Sequence, residues 1–365
     1  MNWRSLWLII STALLFCVGL LMIFNTTSAE LIDRGVSENI HGVFRKQFLY
    51  GAVGVFLGCL AYRIGYVRLI RYSGWLLVGM TGVLALLFLP GVGQVVNGAR
   101  RWIVLFGISF QPSESIKLLI PVYYIHWYVT QGKVDARGFL RLIGLLCIPI
   151  GLILFEPDHG TTAIILVTLV ALFFLTKISW MYWALPLALL VGIGGSVAYQ
   201  TPYVRGRMAV YLHPELDLKG KGHQPHQAKI AAGSGQLFGR GLGESLQKLN
   251  YLPEARNDYI AAIFAEETGF IGVTSLIGLY IVFACAGFFT AMKALDEKGF
   301  LLAAILTFII SIQAFLNLGI VSGLLPSKGM TLPFFSQGGT SLIANTIALF
   351  VLLDIARREK KRSTI

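Results

Sequence analysis

The sequence is poor in charge, and in acidic residues above all. Asp and Glu account for only 18 of its 365 residues, and 13% of the chain is charged, whereas 56% is hydrophobic. A soluble domain of average composition would carry about 25% charged residues. Apolar runs of about 18 residues or more recur along the chain, which is the signature of membrane-spanning helices. The composition therefore excludes an ordinary soluble protein and predicts a polytopic membrane protein.

Cysteine is also scarce, and its placement excludes the usual cysteine chemistry. The four cysteines are Cys17, Cys59, Cys147 and Cys285; all fall within apolar runs, and none forms a CxxC pair. That pattern favours packing inside the membrane over a disulfide framework or a zinc site.

The net charge of +12 has a membrane explanation. Lys and Arg concentrate in short loops and in the C-terminal tail "ARREKKRSTI". This distribution is typical of cytoplasmic loops under the positive-inside rule and of contact with anionic lipid. It does not indicate a nucleic-acid partner, and none is expected.

The apolar runs predict an all-α polytopic membrane protein with about ten transmembrane helices. An even number of spans puts both termini on one side, and the basic loops place that side in the cytoplasm. The first run, 6–24, exceeds the apolar core of a signal peptide, about 7–15 residues, so it is predicted to be retained. The run 141–155 is short and is also compatible with a tight hairpin. The predicted spans are 5–25, 46–62, 72–89, 112–130, 141–155, 160–176, 181–199, 258–291, 299–322 and 340–356.

Residues 1–365 are predicted to form a single membrane domain, and 200–257 a large extracytoplasmic loop between the predicted helices 7 and 8. Loops longer than about 12–15 residues are usually functional or disordered. This loop contains "PHQAKIAAGSGQLF", which is predicted to be ordered on the membrane surface. "HQPH", with His223 and His226, is interpreted as loop without a helical frame. The glycines of "GSGQLFGRGLG" do not follow the dinucleotide-binding pattern and instead favour close backbone approach to the membrane or a helix.

The stretch "LPEARNDYIAAIFAEETG" concentrates acids at the start of an apolar helix. Asp258 shares a helix face with a strip of small residues. Two interpretations stay open: simple helix packing under an acid at a helix N-terminus, or a groove for a lipid chain with an acid at its outer end. Glu266 and Glu267 lie deeper, where an acid is either functional or paired with a Lys or Arg. The strip consists of Ala261, Ala262, Ala265, Gly269 and Gly272.

A second cluster is "GARRWIVLFGISFQPSESIKL". Pro112 is suited to the first turn of a helix, where Glu114 and Lys117 can pair at i, i+3. Arg101 and Trp102, just before it, suit a phosphate and a sugar ring, although Arg and Trp are also common membrane anchors. The pattern supports a site and a buried ion pair equally.

Two further polar stretches interrupt the apolar runs. "FEPDHGTT" places Glu156, Asp158 and His159 between two spans, where they could bind a metal, relay protons or simply be solvated caps. "LLPSKGMTLPFFSQGGTS" is broken by Pro and Gly, and non-helical backbone at membrane depth is tolerated only inside protein or against a cavity. Gln313 and Asn317 precede it, and Asn345 follows it, which indicates a polar interior.

Taken together, these motifs resemble the SEDS family (shape, elongation, division and sporulation proteins). The matching stretches, in order over nearly the whole chain, are "GARRWI", "QPSESIKL", "EPDHGTT", "GLGESLQKLNYLPEARNDYIAAIFAEETGFIG" and "GLLPSKGMTLPFFSQGGTS". "GLGESLQKLNYLPEA" is closer to the division branch, FtsW, than to the elongation branch, RodA.

The resemblance implies a peptidoglycan glycosyltransferase of the bacterial inner membrane that polymerises lipid II during division or elongation. It also implies a class B penicillin-binding protein and other divisome or elongasome proteins as partners. The family's essential aspartate falls on Asp258, its outer-loop tryptophan on Trp102, and its helix glutamate and lysine on Glu114 and Lys117. The chain departs from the family in "ARND", "EPDHGTT" and "PFFSQGG".

The implied reaction transfers a sugar from a polyprenyl pyrophosphate to a hydroxyl group with inversion. Asp258 is the expected general base, since a carboxylate base serves inverting glycosidases in the same way. No organic cofactor and no metal-ligating set are expected, although a divalent cation is compatible with the chemistry. The expected substrate-binding residues, most of them cations for the pyrophosphate, are Trp102, Arg101, Arg205, Arg207, Lys248 and Arg256; Lys117 could share that role.

Other classes of function stay open at this stage. A lipid II flippase would need a polar path through both leaflets. A noncatalytic scaffold for a penicillin-binding protein would not need Asp258 at all. A secondary transporter would tend to show broken helices in two matching halves, which this sequence lacks.

Overall fold

The structure is a computed structural model of the chain. It describes residues 2–34, 40–96, 99–105, 108–132, 134–200, 202–213, 222–248 and 256–360. Parts of the predicted outer loops and the last five residues lie outside these ranges. Within them the chain forms twelve α-helices and one three-stranded sheet.

The helices follow the apolar runs closely. Helices α1 to α7 are Trp3–Arg34, Ile40–Ile64, Tyr66–Leu86, Pro112–Gln131, Ala136–Phe155, His159–Leu175 and Trp180–Gln200. Helices α8 to α12 are Pro202–Leu212, His223–Ser234, Ile260–Met292, Glu297–Val321 and Gly339–Lys360. A tight turn separates α5 from α6 at Glu156–Asp158, as the breaker Pro157 predicts.

The all-α polytopic class is confirmed. Seven of the described helices are long and apolar enough to cross a membrane, namely α1, α2, α3, α5, α10, α11 and α12. Helices α6 and α7 are apolar but shorter in their span-like part. Helix α4 coincides with a predicted span and carries Glu114, Lys117 and His126 in its sequence. The count of ten spans therefore stays a prediction.

The segment between α3 and α4 contains a small sheet that the sequence pattern did not predict. Strands β1 (Gln94–Val96), β2 (Ala99–Leu105) and β3 (Ile108–Phe110) pair antiparallel in that order. The strands are short, so their alternation is hard to distinguish from the flanking irregular chain. The sheet leads directly into α4 and positions the residues before it.

The large loop between α7 and α10 contains two helices, α8 and α9. Helix α9 buries Ala228 and Ala231 and packs against α10 and α11. His223 and His226 lie on α9, so the interpretation of "HQPH" as loop was wrong. A helix of mixed polarity shows no clear periodicity, and its packing against the bundle decides its conformation.

Both termini lie at one end of the bundle. The Asn2 side-chain amide donates to the Ala356 carbonyl at 3.2 Å, and the Arg4 guanidinium donates to the Phe289 carbonyl at 3.3 Å. The amide of Tyr66, at the start of α3, donates to the Asp354 carboxylate at 2.9 Å. Since α3 runs away from this end, β1–β3 and the start of α4 lie at the opposite end.

Candidate active site

The first helix turn of α4 holds a buried ion pair. Pro112 occupies the first turn, and Glu114 is the acid that the helix N-terminus favours. The Lys117 ammonium donates to Glu114 Oε2 at 2.7 Å and to Gln313 Oε1 at 2.8 Å, and only 1% of its surface is exposed. A buried charge is tolerated when it is paired and hydrogen-bonded in this way. The predicted pairing of Glu114 and Lys117 is thus present, with an amide of α11 as a third member.

Asp258 lies just before α10 and is partly exposed. Its backbone carbonyl accepts a hydrogen bond from Asn317 Nδ2 at 3.0 Å. The same Nδ2 donates to the Met330 carbonyl at 2.6 Å, and Gln313 Nε2 donates to the Thr331 carbonyl at 3.0 Å. Two buried amides of α11, one turn apart, therefore join Asp258 and the segment 330–331 to the Lys117 ion pair.

The carboxylate of Asp258 faces the backbone of Gly329. A Cβ atom added at Gly329 would lie 3.0 Å from Asp258 Oδ2, which is closer than most real contacts. Only a residue without a side chain leaves this space open. The preceding residue, Lys328, is largely buried, and burial lowers the pKa of its ammonium while the charge of Asp158 raises it. Lys328 is therefore under the electrostatic influence of Asp158, and its chain neighbour Gly329 packs against the Asp258 carboxylate.

Lys328 was missed by the sequence reasoning, which treated its motif only as broken backbone. The signal was available, because Lys328 is the only basic residue of "LLPSKGMTLPFFSQGGTS". A lysine in non-helical chain at the mouth of a bundle has the chemistry expected of a phosphate-binding group. Its proximity to Asp258 follows only from the tertiary structure.

Asp158 is a buried side chain at the start of α6. It accepts hydrogen bonds from Gln111 Nε2 at 3.1 Å, Ser113 Oγ at 3.2 Å and Thr161 Oγ1 at 2.9 Å. Its other oxygen accepts from the Thr161 amide at 3.2 Å, which makes Asp158 the N-cap of α6. Asp158 thus holds the N-termini of α4 and α6 together at the end of the bundle opposite Asn2 and Ala356.

Glu156 and Arg101 meet at the same turn, though not as an ion pair. The Arg101 guanidinium donates to the backbone carbonyls of Glu156 at 3.1 Å and of Pro157 at 2.5 Å. The Glu156 carboxyl is 2% exposed, and neither of its oxygens has a hydrogen-bond partner among the described residues. Burial, and then the charge of Asp158, raise its pKa to about 8 against the opposing effect of Arg101. Arg101 therefore holds this turn in place with two of its five donors.

Trp102 and Arg101 are neighbours on β2, where successive side chains point to opposite faces. Trp102 is half-buried and pairs in register with Gln94 of β1. The two side chains consequently do not form one continuous surface. Arg101 serves the turn at 156–157, and Trp102 is directed to the other side of the strand.

The remaining predicted cations fall into different surroundings. The Arg207 guanidinium donates to the Ser327 carbonyl at 3.0 Å, directly beside Lys328. Arg256 lies two residues before Asp258, and its carbonyl accepts from the Gln337 amide at 3.0 Å. The exposed Arg205 instead has its guanidinium 4.9 Å from the ring centroid of Tyr199. The structure brings Arg207 and Arg256 to the site and directs Arg205 towards α7.

Lys248 requires a correction. Its ammonium donates to Glu267 Oε1 at 2.9 Å, Asn25 Oδ1 at 2.8 Å and the Gly243 carbonyl at 2.6 Å. An ammonium has three donors, so none is left for a pyrophosphate. Lys248 closes a buried network around α10, contrary to the expectation of substrate binding. Glu267 thereby finds the basic partner that was one of its two interpretations.

Glu266 is satisfied separately, on the other side of this network. Its carboxylate accepts from Ser245 Oγ at 2.5 Å and from the Leu246 amide at 3.2 Å, and Arg240 Nε lies 3.7 Å from it. Both deep acids are therefore structural partners of the 240–248 segment. They do not form part of an open polar path.

The small-residue strip does line a groove. A groove of about 650 Å³ lies between α9, α10 and α11. Ala261, Ala265 and Gly269 of the strip line it, together with apolar residues of α11 such as Phe315 and Leu318. Ala262 and Gly272 do not contribute, and Gly272 packs against Thr268 of its own helix. An apolar groove therefore begins one turn of helix from Asp258.

No group of three His, Cys, Asp or Glu side chains in the described ranges is placed to hold a metal ion. The divalent cation considered from the sequence stays a prediction.

This arrangement of helices and motifs is shared with known proteins. A family model described as a cell cycle protein, FtsW/RodA/SpoVE, matches residues 5–361. The chain belongs to this family. The resemblance inferred from the motifs is confirmed.

Named relatives within the FtsW/RodA/SpoVE family match over nearly the full length. The chain is 37% identical over 358 residues to the "Probable peptidoglycan glycosyltransferase FtsW" of Coxiella burnetii, covering 96% of this chain and 95% of the relative. It is 39% identical to the protein of that name from Thioalkalivibrio sp., covering 96% and 88%. The "Stage V sporulation protein E" of Bacillus subtilis is 35% identical, covering 97% of each.

Solved structures of the FtsW/RodA/SpoVE fold superpose well. One, described as "Structural coordination of polymerization and crosslinking by a peptidoglycan synthase complex", matches with a TM-score of 0.75 and 26% identity, covering 96% of this chain and 97% of that one. The rod shape determining protein RodA of Thermus thermophilus matches with a TM-score of 0.69 and 24% identity, covering 96% of each. The second likeness concerns the fold alone. The chain is accordingly a multi-pass membrane protein of the SEDS type.

Proposed function

We propose that this chain is a peptidoglycan glycosyltransferase that polymerises lipid II, the undecaprenyl-pyrophosphate-linked disaccharide-peptide. One observation carries the proposal. The Asp258 carboxylate lies beside the Lys328–Gly329 backbone, and two α11 amides tie both to the buried ion pair of α4. A candidate base thus lies beside the backbone next to a candidate cation. The chain is 37% identical to a protein named as such a transferase.

The base in this proposal is Asp258. It removes the proton from the 4-hydroxyl of the acceptor sugar as that oxygen attacks the anomeric carbon of the donor. The bond from that carbon to the pyrophosphate breaks in the same displacement, so the configuration inverts and no covalent intermediate forms. A positioned base contributes about 10²–10⁴ in rate. The partial exposure of Asp258 suits a group that must receive a substrate hydroxyl.

Positive groups at the mouth meet the charge that develops on the leaving pyrophosphate. Lys328 is one candidate; Arg207 donates to the carbonyl of the residue before it, and Arg256 lies two residues before Asp258. Preorganised charges of this kind are often the largest single contribution to catalysis. Lys117 lies deeper, bound to Glu114 and Gln313, and supports the site from below. Trp102 and Arg101 flank the outer rim, where Trp102 offers a face for a sugar ring.

The apolar groove beside α10 serves the apolar part of the reaction. Its wall of Ala261, Ala265 and Gly269 suits a polyprenyl chain or a neighbouring membrane helix, the two occupants that the small-residue strip predicts. A class B penicillin-binding protein is the proposed partner, alongside other divisome or elongasome membrane proteins. The similarity to a chain from a peptidoglycan synthase complex supports this assignment.

The flippase alternative is less well supported by the geometry. The deep acids Glu266 and Glu267 are both closed into networks with Ser245 and Lys248. Lys117 is closed in the same way, by Glu114 and Gln313. Asp258, the partly exposed acid, lies at one end of the bundle. A path across both leaflets would instead need accessible polar groups along its length.

The test is lipid II polymerisation in liposomes by the full chain, with a penicillin-binding partner whose own polymerase activity is blocked. We expect Asp258→Asn to reduce glycan formation by about 10² or more, the contribution of a positioned base. Asp135→Asn is the matched control, because Asp135 caps α5 at the other end of the bundle and Asn caps equally well.

Equal glycan formation by the wild type and Asp258→Asn would remove Asp258 from the chemistry. The absence of glycan from both, with lipid II crossing the bilayer in both, would favour the flippase. Normal function of Asp258→Asn in cells would favour the noncatalytic scaffold.

A further inference from the structure

A second groove lies far from Asp258, on the outside of the bundle between α3, α4 and α5. Its volume is about 630 Å³. The proposed transferase reaction makes no use of it. Its rim combines Arg71 of α3 with His126 and Thr130 of α4, and its floor is apolar. A cationic rim above an apolar floor is complementary to an anionic phospholipid, which has a negative headgroup and apolar acyl chains.

The rim lies at the depth of lipid headgroups. Arg71 is in the second turn of α3, which begins at Tyr66, and Thr130 is in the last turn of α4, which ends at Gln131. Both helix ends are at the end of the bundle that carries the termini, since Tyr66 bonds Asp354. One helix turn rises about 5.4 Å, so these residues lie within about 10 Å of the helix ends.

The rim carries the positive charge of Arg71, and a second cation lies near it on α11. Arg71 and Lys298, which is in the first turn of α11, both act electrostatically on His126. Neither has an ion-pair partner in the described ranges. The acid next to Lys298, Glu297, faces the Tyr128 hydroxyl of α4. Two cations therefore act on His126, and an anion bound at the rim would be attracted to both.

The floor has the length of one acyl chain. The lining residues of α3 run from Arg71 to Thr81, a helical rise of about 15 Å. This equals half of a hydrocarbon core of about 30 Å, the thickness of one leaflet. Val78 and Ile148 on opposite walls are 63% and 60% exposed, so the groove opens sideways to the membrane and not into the bundle. Trp75 and Trp127 line it near the rim, where indoles favour the interface.

We propose that this groove binds an anionic phospholipid. The phosphate lies against Arg71, Lys298 and His126, and one acyl chain follows the apolar floor past Val78 and Ile148. The site is separate from the transferase site, because α4 alone spans about 30 Å between its two ends. Two cations and a one-leaflet floor suit a phosphodiester lipid, whereas a polyprenyl pyrophosphate carries a far longer chain and more charge.

Native mass spectrometry of the full-length, detergent-purified protein tests the proposal. The lipids are phosphatidylglycerol, phosphatidylethanolamine, phosphatidylcholine and undecaprenyl pyrophosphate, each added at equal concentration. We expect the wild type to retain phosphatidylglycerol in preference to the other three. One Lys or Arg near the membrane surface raises the affinity for an anionic headgroup by about fivefold. Arg71→Gln should therefore lose about fivefold, and Arg71→Gln combined with Lys298→Gln about 25-fold.

Two further variants separate the groove from general charge effects. Lys293→Gln removes an exposed positive charge at the same end of the bundle, outside the groove, and should bind as the wild type does. Val78→Trp keeps every charge and fills the floor at a lipid-facing position that tolerates a large side chain. It should also lose phosphatidylglycerol.

Three results would overturn the proposal. They are equal retention of phosphatidylglycerol and phosphatidylcholine, a loss in Lys293→Gln as large as in Arg71→Gln, and wild-type binding by Val78→Trp. Retention of undecaprenyl pyrophosphate alone would reassign the groove to a polyprenyl lipid. Unchanged lipid II polymerisation by the variants would show that they are folded, and this readout is independent of headgroup selectivity.

Discussion

Glu156 is the residue whose surroundings suit its side chain least. Its carboxyl is buried without a hydrogen-bond partner in the described part of the chain, and Arg101 bonds its carbonyl instead of its carboxylate. Proteins rarely leave a carboxylate buried in this way, because the charged form loses its hydration. The group therefore holds its proton at neutral pH, with a pKa of about 8.

Glu156→Gln should accordingly change how stability depends on pH. The unfolded chain releases the Glu156 proton near its ordinary pKa of 4.5, whereas the folded protein keeps it up to about 8. Between these values the folded state binds more protons, so the contribution to stability falls as pH rises and is lost above about 8. We expect Glu156→Gln to raise the unfolding temperature by several degrees near pH 8.5, and to change it little near pH 5.

Thermal unfolding in detergent across this pH range measures the effect. Asp135→Asn, at an exposed helix cap, is the control for a loss of negative charge. An equal change in unfolding temperature at all pH values would show that Glu156 is ionised in the folded protein. A lower unfolding temperature near pH 8.5 would show that its carboxylate is bound by a partner.

At the scale of the element, the helical hydrogen bonding of α10 is interrupted, and backbone groups of the large loop replace the missing hydrogen bonds. Gly269 has a φ of 66° inside the helix, which interrupts its hydrogen-bond ladder. The amides of Phe270 and Ile271 donate instead to the carbonyls of Gln236 and Leu237, at 2.9 and 3.3 Å. In return, the 240–241 amides donate to the carbonyls of Glu266 and Glu267 at 3.0 and 3.1 Å. Four backbone groups of α10 around the break thus find partners in the loop, as a membrane favours.

The glycines of "GSGQLFGRGLG" explain how the loop comes so close. Gly235 and Gly239 lie against the α10 backbone at Ala265 and Glu267, with no room for a Cβ atom. The predicted role of these glycines, close backbone approach to a helix, is confirmed. The loop is therefore part of the bundle and not a separate surface structure.

Gly269→Ala should destabilise the protein strongly. Alanine disfavours the left-handed conformation, and its Cβ would collide with the backbone of Leu237 and Gly239. That backbone cannot move without breaking the hydrogen bonds between the loop and α10. We expect a loss of about 3 kcal/mol or more in the free energy of unfolding, in the range of strained backbone plus overpacking. Thermal or denaturant unfolding in detergent provides the measurement.

Gly278→Ala in the same helix is the matched control. A Cβ at Gly278 meets nothing within 4 Å, and its backbone is helical. Because Ala is the better helix former by about 1 kcal/mol, this variant should be neutral or slightly more stable. Similar behaviour of the two variants would contradict the account of the break at Gly269.

At the scale of the whole molecule, the two ends of the bundle differ in chemistry. One end carries both termini, joined by Asn2 and Ala356, and its helix ends are rich in Arg and Lys. The other end carries Asp258, Lys328 and the sheet. Positive charge concentrates on the cytoplasmic side of membrane proteins. We therefore expect the candidate chemistry to lie on the outer side of the membrane, where the cell wall is built.

This orientation predicts the behaviour of reporter fusions. Green fluorescent protein fused after Ile365 should fluoresce, and alkaline phosphatase at the same place should be inactive, because we expect the C-terminus to lie in the cytoplasm. The same reporters inserted within 214–221, between α8 and α9, should give the opposite pair of results. Active phosphatase after Ile365 would reverse the orientation and place Asp258 in the cytoplasm.

Local sequence was sufficient for the helices and for several members of the site. Apolar runs predicted the membrane helices, because the absence of water in a bilayer imposes long uninterrupted apolar stretches. The i, i+3 spacing predicted the pairing of Glu114 and Lys117, since that contact lies within one helix turn. Asp258 was found as an acid at the N-terminal end of a helix face made of small residues.

Tertiary structure alone decided which distant groups meet. The Lys328–Gly329 backbone lies beside Asp258 because the side-chain amides of Gln313 and Asn317 bind the carbonyls of the following residues. No local sequence pattern predicts that contact. Lys248 and Arg101 were expected at the substrate, but Lys248 donates to Glu267, Asn25 and Gly243, and Arg101 gives two of its five donors to the carbonyls of the 156–157 turn. A charged side chain binds the partner that folding brings within about 3 Å, and along this chain those partners are many residues away. Sequence thus determined which groups are available and at which end they lie, and the packing of the helices determined which of them are left to act.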